Sequence, residues 1–244
     1  MRFNTDEFRS ELLSVFERNA LSELLDENKV EKLAYLTEIL LEENEKYNLT
    51  AITEPKKVIL HHYADCAVLA RLLPKGAAVA DIGCGAGFPT LPVALLRPDV
   101  KITGVDSTAK RIAYVNATAE KLGLSGVTAI VARAEELGRG ELRESFGIVT
   151  ARAVATMRVL AELSLPLVKV GGSFIAMKGR GAVAELAESG RAISALGGKL
   201  EKVEDVTLVS ADEELSHPLV FIKKVSKTPV AYPRAFSQIS KKPL

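Results

Sequence analysis

The sequence predicts an α/β fold in which a seven-stranded, mostly parallel sheet carries helices on both faces. From residue 77 onward, about seven apolar segments of strand length alternate with segments of helical periodicity. The first of these segments, residues 77–82, leads into the turn Gly83–Gly87 and then into a helical pattern from Pro89 to Leu96. A strand, a glycine turn and a helix in this order form the first half of a doubly wound nucleotide-binding unit.

The residues before this unit predict a helical cap. Two amphipathic helical patterns occupy residues 5–46, the second with an N-cap at Asn28, and a further helix, with allowance for a break, spans residues 55–73. His61 and His62 are adjacent in that helix and therefore point to different faces. We expect them to have structural or hydrogen-bonding roles rather than to bind a metal together.

The remaining elements alternate along the chain. Ser107 is expected to cap a helix from Thr108 to Leu122. The other strands are expected at residues 101–105, 127–131, 146–150, 173–177, 203–209 and 219–222, and the other helices end at Leu163 or span residues 183–196. The carboxyl ends of parallel strands form the ligand-binding edge of such a sheet. Polar residues follow five successive strands there, namely Asp81, Asp106, Ala134–Glu135, Arg152 and Lys178. Together they predict a site.

Composition restricts the class of protein. The chain has 244 residues, of which 48% are hydrophobic and 26% charged, as in ordinary globular domains. It lacks an apolar run of about 18 residues and a signal-peptide pattern, so we expect a cytoplasmic protein that does not enter a membrane. Cys66 and Cys84 have no metal-ligand spacing and are expected to be reduced thiols, with no metal bound. We expect the protein to be a monomer.

Charge is distributed unevenly over the three predicted parts of the chain, which are the cap of residues 1–73, a sheet domain of residues 74–225 and a basic tail of residues 226–244. Residues 1–54 carry 6 basic and 13 acidic residues, a net charge of −7, whereas residues 215–244 carry 6 basic residues and no acidic one. A basic segment is one way for a near-neutral protein to contact phosphates. We expect the tail to be irregular until RNA is present, and cofactor binding to be independent of it.

The glycine turn favours an adenosyl cofactor over a dinucleotide. The dinucleotide fingerprint needs a third glycine at the position of Phe88, and Asp81 before the turn would suit a cationic ligand better than a pyrophosphate. Asp106 lies 23 residues past Gly83, where a carboxylate accepts hydrogen bonds from ribose hydroxyls. S-adenosylmethionine meets these requirements, and NAD remains the alternative.

The residues at the end of the fourth strand, together with the two cysteines, restrict the kinds of methyl acceptor that fit the sequence. Thr150–Ala153 differs from the Asn/Asp-Pro-Pro-aromatic motif with which amino-group methyltransferases grip an exocyclic amine. Neither cysteine follows a proline, as the nucleophile of cytosine C5 methylation usually does. Guanine N7 has a free lone pair and no proton to remove, so its methylation depends on positioning and desolvation rather than on a general base. No residue is therefore assigned as catalytic.

The motifs together resemble the RsmG family, also called GidB. These bacterial enzymes make 7-methylguanosine in the decoding-centre loop of 16S rRNA. The resemblance runs from about Tyr47 to the end of the chain. The motifs that carry it are Asn48–Ile52, Asp81–Pro89, Arg133–Glu135, Thr150–Ala153 and Met177–Gly179, with the basic ending Lys227–Leu244. Two departures are Ser216, where a basic residue is frequent, and Phe236–Ser237, which replace the usual Pro-Gly. We expect them to affect RNA contacts and not the cofactor site.

The resemblance implies a Rossmann-like, class I S-adenosylmethionine-dependent methyltransferase acting on 16S rRNA or the small ribosomal subunit. With the glycine turn, it implies the cofactor residues Gly83, Gly85, Phe88, Asp106, Ser107, Thr108, Ala134, Glu135 and Arg152. Phe88 is expected to shield the methionine arm, Asp106 to hold the ribose, and the Ala134–Glu135 turn to meet the adenine edge. Arg152 has three open interpretations, which are the cofactor carboxylate, the RNA, or an ion pair with Asp81 or Glu135.

The residues expected on the RNA side are Asn48, Thr50, Lys178, Arg180, Lys227, Arg234, Lys241 and Lys242. Two alternative functions remain open. One is a methyltransferase of the same fold with a small-molecule or protein substrate, which the acid-free tail disfavours. The other is a non-catalytic ribosome-assembly protein, which the presence of both Gly83 and Asp106 disfavours.

Overall fold

The computed structural model describes residues 3–152, 155–179 and 181–244, so Arg180 and Ala153 lie outside the described residues. The strands are β1 (Ala78–Ile82), β2 (Lys101–Asp106), β3 (Val127–Val131), β4 (Phe146–Arg152), β5 (Val168–Met177), β6 (Gly198–Val209) and β7 (Glu214–Lys224). The helices are α1 (Thr5–Arg18), α2 (Glu27–Tyr47), α3 (Pro55–Val58), α4 (Asp65–Leu72), α5 (Thr90–Leu96), α6 (Ala109–Lys121), α7 (Ala134–Leu137), α8 (Met157–Ser164), α9 (Ala182–Ala187), α10 (Gly190–Ala195) and α11 (Phe236–Lys241).

The strands form one sheet of seven in the order β3-β2-β1-β4-β5-β7-β6. Strands β1 to β5 pair in parallel, and β7 is antiparallel to both β5 and β6. This arrangement confirms the predicted seven-stranded, mostly parallel sheet. The strand order reverses at β1, which has β2 on one side and β4 on the other. In open α/β sheets the crevice at such a point is where ligands bind.

Both faces of the sheet are buried under helices, as predicted. Neighbouring strand residues enter opposite cores, with Val79 and Ile148 in one and Ala80 and Val149 in the other, because side chains alternate along a strand. The first core contains side chains of α1, α2, α4, α5 and α6, and the second contains side chains of α7 to α11. The helices before residue 73 therefore share a core with the sheet. The domain boundaries at residues 73 and 225 stay predictions.

Both ends of α2 are fixed by polar residues, although the predicted N-cap is wrong. Asp26, not Asn28, caps α2, because its carboxylate accepts a hydrogen bond from the Lys29 amide at 2.9 Å. Asn48 ends the same helix in the left-handed conformation, with φ of 49°. Short polar side chains favour that conformation more than most residues do.

The expected break in the helix of residues 55–73 is a π-helical turn. This turn, Ile59–Ala64, joins α3 to α4 without leaving the helix. It inserts an extra residue per turn, so it changes the direction of the side chains that follow. His62 and Asp65 both point at the end of β4 as a result.

The glycine turn between β1 and α5 requires its glycines. Gly83, Gly85 and Gly87 all have positive φ values, of 72°, 51° and 83°. A Cβ atom on Gly87 would lie 2.6 Å from Leu91 Cδ1, so the close contact between turn and helix is possible only without a side chain.

Three further expectations need correction. The predicted helix of residues 183–196 is split into α9 and α10 at Ser189, whose buried hydroxyl donates a hydrogen bond to the Glu185 carbonyl. Thr108, not Ser107, occupies the N-cap position of α6. The tail expected to be irregular contains α11 and buries Ile239 in the second core.

Candidate functional site

A cavity of about 390 Å³ opens at the carboxyl ends of β1 to β4. Its volume falls in the range usual for small-ligand sites. Seven of the nine residues predicted to bind the cofactor line it, namely Gly83, Asp106, Ser107, Thr108, Ala134, Glu135 and Arg152. The sequence interpretation therefore located the cavity, although the assignment of each residue to a ligand stays a prediction.

Asp106 is held in place by backbone amides at the end of β2. One carboxylate oxygen accepts a hydrogen bond from the Gly85 N–H at 3.1 Å, and the other accepts one from the Thr108 N–H at 2.8 Å. Arg111 adds a guanidinium nitrogen at 3.6 Å. Gly85 does not line the cavity, so its observed contribution is to orient Asp106. The carboxylate needs no rearrangement to accept further hydrogen bonds from a ligand.

Arg152 extends from the end of β4 into a network that sequence analysis did not find. Its guanidinium donates to Asp65 Oδ2 at 3.1 Å, to the His61 carbonyl at 3.0 Å and to His62 Nδ1 at 2.9 Å. The expected ion pair with Asp81 or Glu135 is wrong in its partner, because the π-helical turn brings Asp65 to this position. The spacing of His62 and Asp65, three residues apart in a predicted helix, was the available signal.

Asp65 is itself supported by a residue of β7, which lies two strands from β4 in the sheet. His217 of β7 places Nε2 2.8 Å from Asp65 Oδ1. Burial alone would raise the pKa of the Asp65 carboxyl, but His217 and Arg152 together hold that pKa below its usual value. The network therefore keeps an ionised carboxylate against the Arg152 guanidinium.

His62 has a hydrogen-bonding role, as expected. Burial, and secondly the charge of Arg152, lower the pKa of His62 to about 3. The ring is therefore neutral near pH 7, and Nδ1 accepts from Arg152 while Nε2 lies 3.3 Å from the Thr50 hydroxyl. The ring also stacks on Phe88, with centroids 4.2 Å apart. Phe88 is 5% exposed and is not in the cavity wall, so the structure does not place it as the expected shield of a ligand.

Asp81 is fully buried behind the turn. Its Oδ2 atom accepts a hydrogen bond from the Thr90 hydroxyl at 2.6 Å, while Oδ1 has no hydrogen-bond donor among the described residues. Burial raises the pKa of Asp81 to about 6, although the bond from Thr90 opposes this shift. Asp81 is not in the cavity wall.

Neither thiol has the properties of a nucleophile. Cys66 and Cys84 are both buried, and burial raises the pKa of each thiol above its usual value. The thiolate is the reactive form, so these cysteines are inert near neutral pH. Within the described ranges, no three His, Cys, Asp or Glu side chains are grouped to hold a metal ion. None of the described helices combines the length and apolar character needed to cross a membrane.

The residues predicted to contact RNA have diverse environments. Asn48 is exposed, whereas the Thr50 hydroxyl faces His62. Lys178 is 10% exposed at its side chain and lies 2.8 Å from both a Glu185 carboxylate oxygen and the Ala155 carbonyl. Lys227, Lys241 and Lys242 are exposed. Their roles toward RNA stay predictions.

Arg234 fixes the C-terminal segment, residues 226–244, to the second core. The Glu162 side chain of α8 is fully buried and accepts from the Arg234 backbone amide at 2.9 Å, from Nε at 2.8 Å and from a terminal nitrogen at 2.6 Å. Arg143 donates to the Tyr232 carbonyl at 2.7 Å. Sequence composition could not reveal this docking, because the partner Glu162 lies 72 residues away in a helix whose other buried residues are mostly apolar.

The sequence matches one protein family over most of its length. A family model described as rRNA small subunit methyltransferase G matches residues 29–215. A Clostridium perfringens protein named ribosomal RNA small subunit methyltransferase G is 46% identical over 222 residues, covering 90% of this chain and 92% of that protein. Proteins of the same name from Lactobacillus acidophilus and Desulfitobacterium hafniense are 44% and 42% identical and cover 91% and 96% of this chain, and 93% and 97% of their own lengths.

Solved structures match the fold at low sequence identity. A SAM-dependent methyltransferase from Aquifex aeolicus has a TM-score of 0.52 at 17% identity, covering 76% of this chain and 98% of that chain. M. jannaschii TYW2 in complex with AdoMet has a TM-score of 0.52 at 15% identity, covering 66% and 75%. These similarities support the Rossmann-like class I fold.

Proposed function

This chain belongs to the rRNA small subunit methyltransferase G (GidB) family, and from that membership we propose that it methylates N7 of one guanine in the decoding-centre loop of 16S rRNA, with S-adenosylmethionine as the donor. The observation that best supports a cofactor role for the cavity is Asp106, whose carboxylate is fixed by two backbone amides at the switch point of the sheet. Since that rRNA is found in the cytoplasm, we retain the predicted cytoplasmic location.

The residues of the cavity fit the chemical groups of S-adenosylmethionine. When bound, that molecule supplies a methyl group on a sulfonium centre. Asp106 offers a carboxylate to the ribose hydroxyls. Ala134 and Glu135, which begin α7 rather than form the predicted turn, offer backbone and carboxylate groups to the adenine edge. Arg152 is the cation of the wall that belongs to β4. Asp65, His61 and His62 take three of its five guanidinium donors, which leaves two for a ligand carboxylate.

An N7 target would need no general base, so we assign the polar side chains around the cavity to binding and positioning. Asp106 accepts two backbone hydrogen bonds, and His62 uses Nδ1 to accept from Arg152. The buried thiols are protonated near neutral pH. Methylation of N7 needs no proton to be removed, so the protein has to orient the guanine and exclude water.

The substrate is tested by methyl transfer with labelled S-adenosylmethionine. Purified protein is incubated separately with 30S particles, with deproteinised 16S rRNA and with the protein and small-molecule fractions of a cell lysate. We expect label only in RNA or in the particle, and nucleoside analysis should identify 7-methylguanosine. Label in another nucleoside would contradict the N7 assignment, and label in the lysate fractions would favour a different substrate. Cofactor binding without transfer to any sample would favour the assembly protein.

A further inference from the structure

Phe236 departs from the family pattern, and it lies in the wall of the cavity. It is the first residue of α11, and it lines the cavity together with Leu163 of α8. The ring is 41% exposed, unlike the 4% exposed Leu163. From the sequence we expect this departure to affect RNA contacts and not the cofactor site, yet Phe236 lies in the wall of the cavity in which most of the predicted cofactor residues are found.

Contacts with neighbouring elements hold the Phe236 ring in position. Arg133, the N-cap residue of α7, holds its guanidinium carbon 5.8 Å from the centroid of the Phe236 ring. This is within the range of a cation–π contact. Two residues before Phe236, Arg234 is held by the buried carboxylate of Glu162. Arg139 also donates to the Pro233 carbonyl at 2.8 Å.

The neighbours of Phe236 indicate which part of a ligand it meets. The ring is in contact with Arg133, the N-cap residue of α7, which begins with Ala134 and Glu135. Arg152, the cation suited to a carboxylate, lies at the end of β4, which β2 and β1 separate from β3 in the sheet. A partly exposed aromatic ring beside the proposed adenine-binding residues matches the flat apolar faces of a purine.

We propose that Phe236 packs against the adenine of the cofactor, so that the C-terminal segment is a part of the cofactor pocket. This inference rests on the proposed function, because it takes the adenosyl group as the occupant of the cavity. An aromatic ring held by an anchored segment loses little freedom when a ligand arrives, which favours binding. The same ring could serve an RNA base instead, and the experiment below separates these two ligands.

The test measures equilibrium binding of S-adenosylhomocysteine and of 5′-methylthioadenosine by calorimetry. Both probes carry the adenine, and only the first carries the amino-acid arm. We expect Phe236→Ala to weaken both by a similar factor of about tenfold, in the range of base–aromatic stacking. Phe236→Tyr should retain the affinity of the wild type, because the aromatic face is kept. Val230→Ala is the matched control, since Val230 lies in the same segment and is 97% exposed.

Other outcomes are equally informative. Unchanged binding of both probes by Phe236→Ala, together with weakened RNA binding, would overturn the inference and assign the ring to RNA. Asp106→Ala, measured in parallel, separates this failure from a failure of the proposed function. If the wild type binds neither probe, the proposed function is wrong. If Asp106→Ala weakens binding and Phe236→Ala does not, only the role of Phe236 is wrong. Thermal melting of each variant checks that it is folded.

Discussion

Asp81 is a buried ionisable residue of β1 whose side-chain hydrogen bonds are only partly satisfied. Thr90 donates to one of its oxygens, and no donor among the described residues reaches the other. An ionised carboxylate without its full set of hydrogen bonds is costly in an apolar environment. Burial accordingly raises the pKa of Asp81 to about 6. This residue should therefore make the stability of the protein depend on pH.

We predict that Asp81→Asn removes one step from the pH dependence of unfolding. The pKa of Asp81 rises from the ordinary value of 3.8 to about 6 on folding, so its contribution to the free energy of unfolding is full below pH 3.8 and is lost as the pH rises through 6. The free energy of unfolding of the wild type minus that of the variant should fall by about 1–3 kcal/mol over that pH interval and then stay level. Urea unfolding at a series of pH values measures the difference. Glu120→Gln on the exposed face of α6 is the control, and parallel curves for wild type and Asp81→Asn would contradict the prediction.

At the scale of elements, the sequence pattern correctly predicted those strands and turns that depend on interactions between residues close in the chain. The strands β1 to β4 and the turn at Gly83 follow from apolar segments and from backbone conformations that glycine favours. The C-terminal segment and the partner of Arg152 could not be predicted in this way. Their positions depend on Glu162 and Asp65, single carboxylates on helices whose periodicity indicates only a buried face. Proline and lysine in the segment suggested an irregular chain, and tertiary contacts overrode that tendency.

We predict that removal of residues 232–244 destabilises the protein through Glu162. The truncated chain keeps a buried carboxylate without its guanidinium, and breaking such a pair costs about 3–5 kcal/mol. In the truncated chain, Glu162→Gln should recover part of this loss, because it removes the buried charge. In the full chain the same substitution should destabilise, because Arg234 then lacks its carboxylate.

Denaturant unfolding is measured for the full and the truncated chain, each with Glu162 and with Glu162→Gln. The four free energies of unfolding give the coupling between the C-terminal segment and Glu162 directly. If Glu162→Gln changes the free energy of unfolding equally in both chains, the segment is not anchored by this pair. Cofactor binding by the truncated chain should also weaken, because Phe236 is removed with the segment. This prediction rests on the proposed role of Phe236, and it is the opposite of the expectation from sequence that cofactor binding is independent of the tail.

At the scale of the whole molecule, the charge separation seen in sequence is only partly available to RNA. Of the six basic residues after residue 214, Lys224 is 1% exposed and pairs with Glu144, and Arg234 pairs with Glu162. Lys227, Lys241 and Lys242 remain exposed, the last two at the end of a helix that begins at the cavity wall. The cations available to RNA after residue 214 are thus these three exposed lysines and the half-buried Lys223 of β7.

We predict that Lys227→Gln, Lys241→Gln and Lys242→Gln together make RNA binding less dependent on salt. Each lost phosphate contact should reduce the slope of log affinity against log salt by about 0.7–0.9. The matched control replaces Lys75, Lys101 and Lys169, which are exposed at the amino-terminal edge of the sheet, with glutamine. The two triple variants have the same net charge. Equal slopes for both would mean that the C-terminal lysines do not contact phosphate.

The network around Arg152 joins residues that are far apart in the chain, and we expect it to form late in folding. Asp65 and Arg152 are 87 residues apart in the chain, and His217 joins them from the antiparallel edge of the sheet. Contacts between such distant residues close large loops and therefore form slowly relative to local helices and turns. A partly folded intermediate would have the glycine turn but not the assembled cation network. Cofactor binding should consequently report the completed native state, and a refolding experiment that monitors bound cofactor would follow the last step of folding rather than the first.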